Sequence, residues 1–366
     1  MANIATITTS NTRKDKVNNR ARPERHGQLP MSLFCEMTHG VRKNHLMSDT
    51  TPADGTKGPR TFTAFFAETL EHAIERVIEP HEVARDIITR GGAWINHARV
   101  RITTAGVLPG MFIAVHTPPA HAHSHILPDD AVIYVDRWLI ALNKPAGTYV
   151  DATPWDAENH LRNALLNHWY ARNGELLHLH PAHRLDRDTT GVLLFSRHSH
   201  ANSALQRVFV QQRAKKTYVC HVAGWPDWDE ILMQTGHGRS DRGRFRVYSI
   251  DEVGNALPGG NVVKSMETFY RVVERHPDGT TTMLAWPRTG RTHQIRLHAN
   301  ALGHPLVGDA SYGSGQLGID AHHLHAWRLS LPHPIHEEPL LLTAPLPDWC
   351  SVDLAALSAS ATILTE

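Results

Sequence analysis

Cysteine is scarce: Cys35, Cys220 and Cys350 are the only three in 366 residues. They lie far apart with no ligand spacing, which excludes a disulfide-stapled fold and a cysteine zinc centre and points to a reducing compartment, the cytoplasm. Net charge is nearly absent, with 37 Lys and Arg against 36 Asp and Glu. The chain is therefore no polycation, and a nucleic-acid surface has to come from local clustering. No apolar run approaches the roughly 18 residues of a membrane span. The first residues lack the apolar core of a signal peptide. Neither the P-loop signature nor a strand-linked dinucleotide glycine motif occurs, so no nucleotide cofactor is expected. Histidine, by contrast, is abundant at 28 copies. The runs at 121–125 and 178–183 lack HExxH spacing, and no cysteine or carboxylate set completes them. No metal is expected, and the histidines read as mostly compositional.

The chain is long enough for a sizeable core and more than one domain. Residues 1–58 are polar, with scattered basic residues and no sustained period, and read as a disordered polar tail. Residues 60–117 read as a small α+β domain. Apolar positions at Phe62, Phe65, Phe66, Leu70, Ala73, Ile74 and Val77 predict one helix over 61–77, stopped by Pro80. A second helix is expected over 81–89, followed by short strands near Trp94, Val100 and Phe112. Glu68, Glu71, Glu75, Glu79 and Glu82 crowd the first helix, a face that repels phosphate. Residues 118–130 read as a linker, 131–350 as the larger domain and 351–366 as a C-terminal tail. Strands are expected over 132–135, 139–142, 192–196, 215–223, 262–273, 281–286, 325–331 and 340–344. Helices are expected over 157–172, 198–213 and 292–302, the last offering its N-terminal N–H groups to a phosphate. Strands follow one another without βαβ alternation, so the class is α+β with a mixed, largely antiparallel sheet.

Chemistry concentrates at 178–191. Arg184, Asp186, Arg187 and Asp188 fall together, then Thr189, Thr190 and Gly191 lead into the apolar run Val192-Leu193-Leu194-Phe195. A carboxylate between two arginines is held ionised, and an ionised carboxylate can act as nucleophile or base. The same residues also describe a charged loop ahead of a strand. Gly147, Gly191, Gly290 and Gly308 read as turn formers. Between Arg184 and Lys216 there are seven Lys or Arg against two Asp. Further basic knots lie at Arg239, Arg242, Arg244 and Arg246, and at Arg288, Arg291 and Arg296. Such clustering is an electrostatic footprint for a polyanion.

HRLDRDTTG, ending at Gly191, resembles the active-site motif of the RluA-type pseudouridine synthases, which isomerise uridine in ribosomal or transfer RNA. The resemblance continues in order over residues 130–348: NKPAG at 143–147, KKTYVCHVAG at 215–224, TGRTHQIRLHANALGHPLVGDASYG at 289–313, LHAWRLSLPHP at 324–334 and LLLTAPLP at 340–347. It implies the pseudouridine synthase fold, a central antiparallel sheet crossed by a cleft. It also implies Asp186 as the essential aspartate, and Tyr218 as the ring that stacks on uracil and a base for proton loss at C5. Arg296 would be the partner of the aspartate, a role suited to a forked, permanently charged guanidinium. Arg184 would help flip the base or hold RNA. Arg291 would take a phosphate, and Lys215, Lys216 and His293 are weaker RNA contacts. Family members continue with a histidine-proline pair after the glycine of NKPAG. Here Thr148-Tyr149-Val150-Asp151 stands instead, so that loop is expected to be rebuilt. Residues 60–117 resemble the S4 RNA-binding module, without its usual arginine-leucine-aspartate start. The expected function is a metal- and cofactor-independent RNA pseudouridine synthase, a cytoplasmic monomer with RNA as its partner. The alternative is an RNA-binding protein of the same fold without turnover. A metal-dependent hydrolase and a glycosidase are more distant readings.

Overall fold

A four-residue strand, β1 (Ala5–Thr8), pairs in parallel with the segment Glu230–Arg239 of the main sheet. It lies in the stretch expected to be an irregular tail, and that expectation is corrected at these residues. The computed structural model describes residues 5–8, 59–78, 83–118, 127–240, 244–313 and 321–352. The rest of the expected tail, the histidine run at 121–125 and residues 353–366 lie outside the described residues.

The small domain has its own core. Its elements are β2 (Arg60–Thr63), β3 (Glu68–Thr69), α1 (Leu70–Glu75), α2 (Val83–Arg90), β4 (Ala93–Ile95), β5 (Ala98–Val100), β6 (Gly106–Val107) and β7 (Phe112–Val115). The order β2-β7-β4-β5 forms an antiparallel sheet, and β3 pairs with β6. Leu70, Ile74, Ile88 and Ile113 are fully buried between helices and sheet. The single helix expected over 61–77 is corrected: Arg60–Thr63 is a strand along β7, and only Leu70–Glu75 is helical. The helical spacing misled because Phe65 and Phe66, counted on its inner face, are exposed, while Phe62 packs from the strand.

The larger domain is organised by alternation. Its elements are β8 (Val132–Val135), β9 (Leu139–Lys144), α3 (Leu161–Asn173), β10 (His180–Pro181), β11 (Thr190–Ser196), α4 (Ser199–Val210), β12 (Lys215–Ala223), β13 (Glu230–Arg239), β14 (Phe245–Tyr248), β15 (Lys264–Arg275), β16 (Thr280–Pro287), α5 (Gln294–Ala301), β17 (Leu324–Pro332) and β18 (Pro339–Thr343). The main sheet runs β1-β13-β15-β16-β12-β17-β11-β9-β8, with β10, β14 and β18 paired at its margins. Only β1–β13 and β11–β17 are parallel pairs, so the sheet is mixed and largely antiparallel. In β9, Leu139 and Ala141 pack with Leu205 and Val208 of α4, while Ile140 and Leu142 pack with Leu161 and Leu165 of α3. Period-two side chains thus fill a core on each face of the sheet. Each fully buried leucine contributes about 1.5–3 kcal/mol relative to exposure. A third core sets α5, through Ile295 and Ala299, against Cys220, Val222, Tyr270 and Met283. Among the described residues no helix is long and apolar enough to cross a membrane.

Gly191 is not a turn ahead of a strand. It lies inside β11 with φ +103°, where β11 and β17 pair in parallel through only Thr190↔His325 and Gly191↔Ala326. A Cβ there would sit 2.3 Å from the Ala326 carbonyl oxygen. Gly191→Ala is expected to destabilise the protein by about 3 kcal/mol or more, through overpacking and a strained φ. The urea midpoint measures it, and an unchanged midpoint would contradict the close approach.

Candidate active site

The loop 184–189 is fixed from two sides. Lys144 ends β9 fully buried, and its Nζ donates to the carbonyls of Pro145 (2.8 Å), Arg187 (2.7 Å) and Thr189 (3.0 Å). Burial pushes this lysine down to about 7, and the charges of Asp188 and Asp186 offset part of the effect. The Thr148 N–H also donates to the Arg187 carbonyl (3.1 Å). From the other side, Thr189 Oγ1 bonds His322 Nε2 (2.8 Å) and Thr190 Oγ1 bonds His325 Nδ1 (2.7 Å). A loop with its carbonyls and hydroxyls so engaged presents Asp186 in one geometry.

Asp186 meets a cation from another element. Arg296 Nη1, on α5, lies 3.0 Å from Asp186 Oδ2. The same guanidinium forks onto Asp309, with Nε 2.8 Å from Oδ2 and Nη2 2.9 Å from Oδ1. Arg296 lies 5.1 Å from the centroid of the Tyr312 ring. His293 Nε2 is 3.9 Å from Asp186 Oδ1, and its Nδ1 is 2.8 Å from the Tyr312 hydroxyl. Burial alone would raise the Asp186 carboxyl, but His293, Arg296 and His322 outweigh it and hold it below the usual carboxylate range. Burial likewise opposes charge on Arg296, and Asp309 and Asp186 outweigh it, so the guanidinium stays charged. The Asp186 side chain is 24% exposed against 8% for Arg296, so the carboxylate is the accessible member. Tyr218, on β12, is pushed above the ordinary phenol range, first by burial and then by the Asp186 charge. An ionised, reachable carboxylate beside aromatic rings can attack or deprotonate a planar base or its sugar.

The expected pairing of Asp186 with its sequence neighbours is corrected. Arg187 forks onto Asp188 instead (2.8 and 2.9 Å), and the Arg184 side chain is exposed. The arginine that hydrogen-bonds Asp186 comes from 110 residues away, because α5 folds over the sheet beside β12. Arg296, counted in a basic surface knot, is buried. Arg291 is partly occupied: its Nε donates to the Ser265 carbonyl (2.9 Å). Its backbone N–H donates to Gln294 Oε1 (2.9 Å), so one N–H expected to face a phosphate is taken. His293 caps α5 at φ +57°, beside Phe245 of β14. Lys215 is exposed, and Lys216 is half-buried with its Nζ beside Gly290. Arg239 and Arg246 stack on Phe245 and Tyr248, and Arg242 lies outside the described residues. Lys144, Asp309 and Tyr312 were not singled out from sequence. All three lie within stretches that carried the resemblance, 143–147 and 289–313.

Several histidines are structural rather than compositional. His298, with no exposure, bridges Thr235 Oγ1 and Thr268 Oγ1 at 2.9 Å each. Burial pushes His322 and His325 down to about 4 and His298 to about 3. In the unfolded chain they take up protons below about pH 6.5. The unfolded state therefore binds more protons over the window from there down to about 4, and stability falls as pH drops through it. The expected loss is on the order of several kcal/mol, read as a falling urea midpoint. A midpoint flat over that window would contradict neutral burial.

The family model described as RNA pseudouridylate synthase matches residues 138–301, a span that contains Asp186, Tyr218 and Arg296. RNA pseudouridine synthase 1 of Oryza sativa is 33% identical over 65% of this chain and 79% of its own length. Ribosomal large subunit pseudouridine synthase D of Nitrosomonas europaea is 34% identical over 62% of this chain and 63% of its own. tRNA pseudouridine synthase C of Vibrio parahaemolyticus is 31% identical over 59% of this chain and 90% of its own. With the mixed sheet, the aspartate loop and its buried arginine partner all in place, the chain belongs to the RNA pseudouridine synthase family.

Proposed function

We propose that this chain converts uridine to pseudouridine in structured ribosomal or transfer RNA, with Asp186 as the catalytic carboxylate. The observation that carries the reading is the accessible Asp186 carboxylate held ionised by His293 and by Arg296, the latter at 3.0 Å. A uridine in folded RNA is hidden by stacking, and extruding it costs a few kcal/mol. Arg184, Lys215 and Arg244 are exposed and offer phosphate contacts that offset this cost. The isomerisation breaks the N1–C1′ bond, turns the uracil, forms C5–C1′, and exchanges a C5 proton for one on N1. Atoms and electrons balance without oxidant or reductant, so the reaction needs no redox partner. Asp186 supplies the negative charge that meets the ribose or the base in this sequence. Tyr218 we assign to stacking on the base, worth about 1–3 kcal/mol.

Relatives named for ribosomal and for transfer RNA support both substrate classes. The test presents separate transcripts of large-subunit ribosomal RNA and of transfer RNA to the purified protein in chelator, followed by nucleoside analysis. Pseudouridine is expected in one of the two classes. None in either would overturn the substrate assignment.

A further inference from the structure

The S4-like pattern of the small domain implies an RNA-binding arm, but the partners of its cations point elsewhere. Residues 59–118 hold six arginines, no lysine and six acidic residues, and so have no net charge. Each of these arginines is engaged within the chain. Arg60 Nη1 donates to the Val77 carbonyl (2.8 Å), Arg76 pairs with Glu68, and Arg85 Nε lies 3.0 Å from Glu71. The other three reach the segment 151–158 of the larger domain. Arg90 Nη1 lies 3.9 Å from Asp156, Arg99 donates to the Thr153 carbonyl, and Arg101 Nη1 lies 2.6 Å from Glu158. Trp94 Nε1 donates to the Pro154 carbonyl (2.9 Å), and the Ala157 N–H donates to the Arg90 carbonyl (2.8 Å). The Arg99 guanidinium lies 4.8 Å from the centroid of the Trp94 ring, and burial lowers its pKa, as expected of a cation enclosed in an interface.

The segment they grip leads to the active site. Trp155 is buried and packs edge-on against Tyr149, with centroids 5.5 Å apart. Next to Tyr149, Thr148 is fully buried, and its N–H holds the Arg187 carbonyl, the same oxygen that Lys144 holds. Arg187 follows Asp186 directly. Residues 153–158, which lead back to Thr148, are therefore the landing site of the small domain.

We propose that the small domain is an internal brace and not an RNA-binding arm: by gripping residues 153–158 it positions, through Thr148, the loop that carries Asp186. Trp94 and Arg99 are then positioning residues for the reaction. This rests on the assignment of Asp186 as the catalytic carboxylate. A displaced catalytic group costs rate rather than affinity, because misplacement by about 1 Å can cost on the order of 10²-fold. An RNA-binding arm does the opposite, since removing a phosphate-binding cation weakens binding and flattens its salt dependence.

The test uses the full-length chain and an RNA transcript that the wild type modifies. If the wild type modifies none, the proposed function fails, and that outcome is separate from those below. In Trp94→Ala/Arg99→Ala, the single-turnover rate at saturating enzyme is expected to fall about tenfold, with RNA affinity and its salt slope unchanged. Weaker affinity with a flatter salt slope would overturn the brace, and so would an unchanged rate. A charge swap at Arg101 and Glu158 tests the same contact if the double variant fails to fold. Arg101→Glu is expected to slow turnover and Glu158→Arg to restore it in the pair, as a double-mutant cycle reads. Failure of the second change to restore the rate would count against the brace.

Discussion

Asp186→Ala is expected to lower single-turnover conversion of uridine by on the order of 10⁴-fold while leaving RNA affinity nearly intact. The loop that carries Asp186 is held by Lys144, Thr148, His322 and His325 through backbone and threonine groups, none of which involves the carboxylate. Arg296 keeps its two-pronged contact with Asp309, so the guanidinium is not left as an uncompensated buried charge. The substitution therefore removes a reacting group without removing a support. The exposed cations proposed for phosphate contacts lie elsewhere, and loss of a negative charge does not weaken such contacts. Rate by rapid quench and affinity by filter binding, on the same transcript, separate the two effects. A variant that turns over near the normal rate would contradict the role of Asp186, and one that loses binding in proportion to rate would make it a binding residue.

Asp309→Ala is expected to cost both stability and rate. Asp309 is fully buried and accepts from Arg296 twice and from the backbone N–H groups of Ser311 and Tyr312. Removing it leaves Arg296, 8% exposed, with Asp186 alone. The change removes two charge-assisted hydrogen bonds to a buried guanidinium and two backbone caps, a loss on the order of a few kcal/mol. Arg296 then has no fixed second anchor, and the turn carrying Tyr312, which bonds His293, loses its caps. Because the guanidinium sets the position and ionisation of Asp186, turnover should fall by about 10²-fold even in the folded fraction. The urea midpoint and the single-turnover rate measure the two effects. A variant with normal stability and a slow rate would restrict Asp309 to orienting Arg296. Normal values of both would remove it from the site.

Much of this arrangement was legible in the chain. Leu139–Leu142 and Val192–Phe195 read as strands because their neighbours on both faces are helices, so apolar side chains run unbroken. Asp186, Tyr218 and Arg296 stood out through ordered stretches of resemblance. Spacing along the loop pointed to Arg184 and Arg187 as neighbours of Asp186, whereas the resemblance named Arg296, and it is Arg296 that α5 brings to the carboxylate. β13 was not foreseen because its inward side chains include Thr235 and His237, which read as polar, and because Gly236 and Gly238 read as breakers. Both glycines are there for close approach: a Cβ would lie 2.5 Å from Val263 at Gly236 and 2.3 Å from Leu257 at Gly238. The histidines were discounted for the same reason, their threonine partners being distant in sequence. His298 meets Thr235 across 63 residues, and His322 meets Thr189 across 133.

The central claim is that this chain breaks and re-forms the glycosidic bond of uridine at C5 through Asp186. The most direct measurement is release of tritium from C5-labelled uridine in RNA, in chelator, by wild type and Asp186→Ala side by side. Release by the wild type alone, matched by an equal amount of pseudouridine in the product, is the expected result. Equal release by both proteins, or none from ribosomal or transfer RNA, would contradict it.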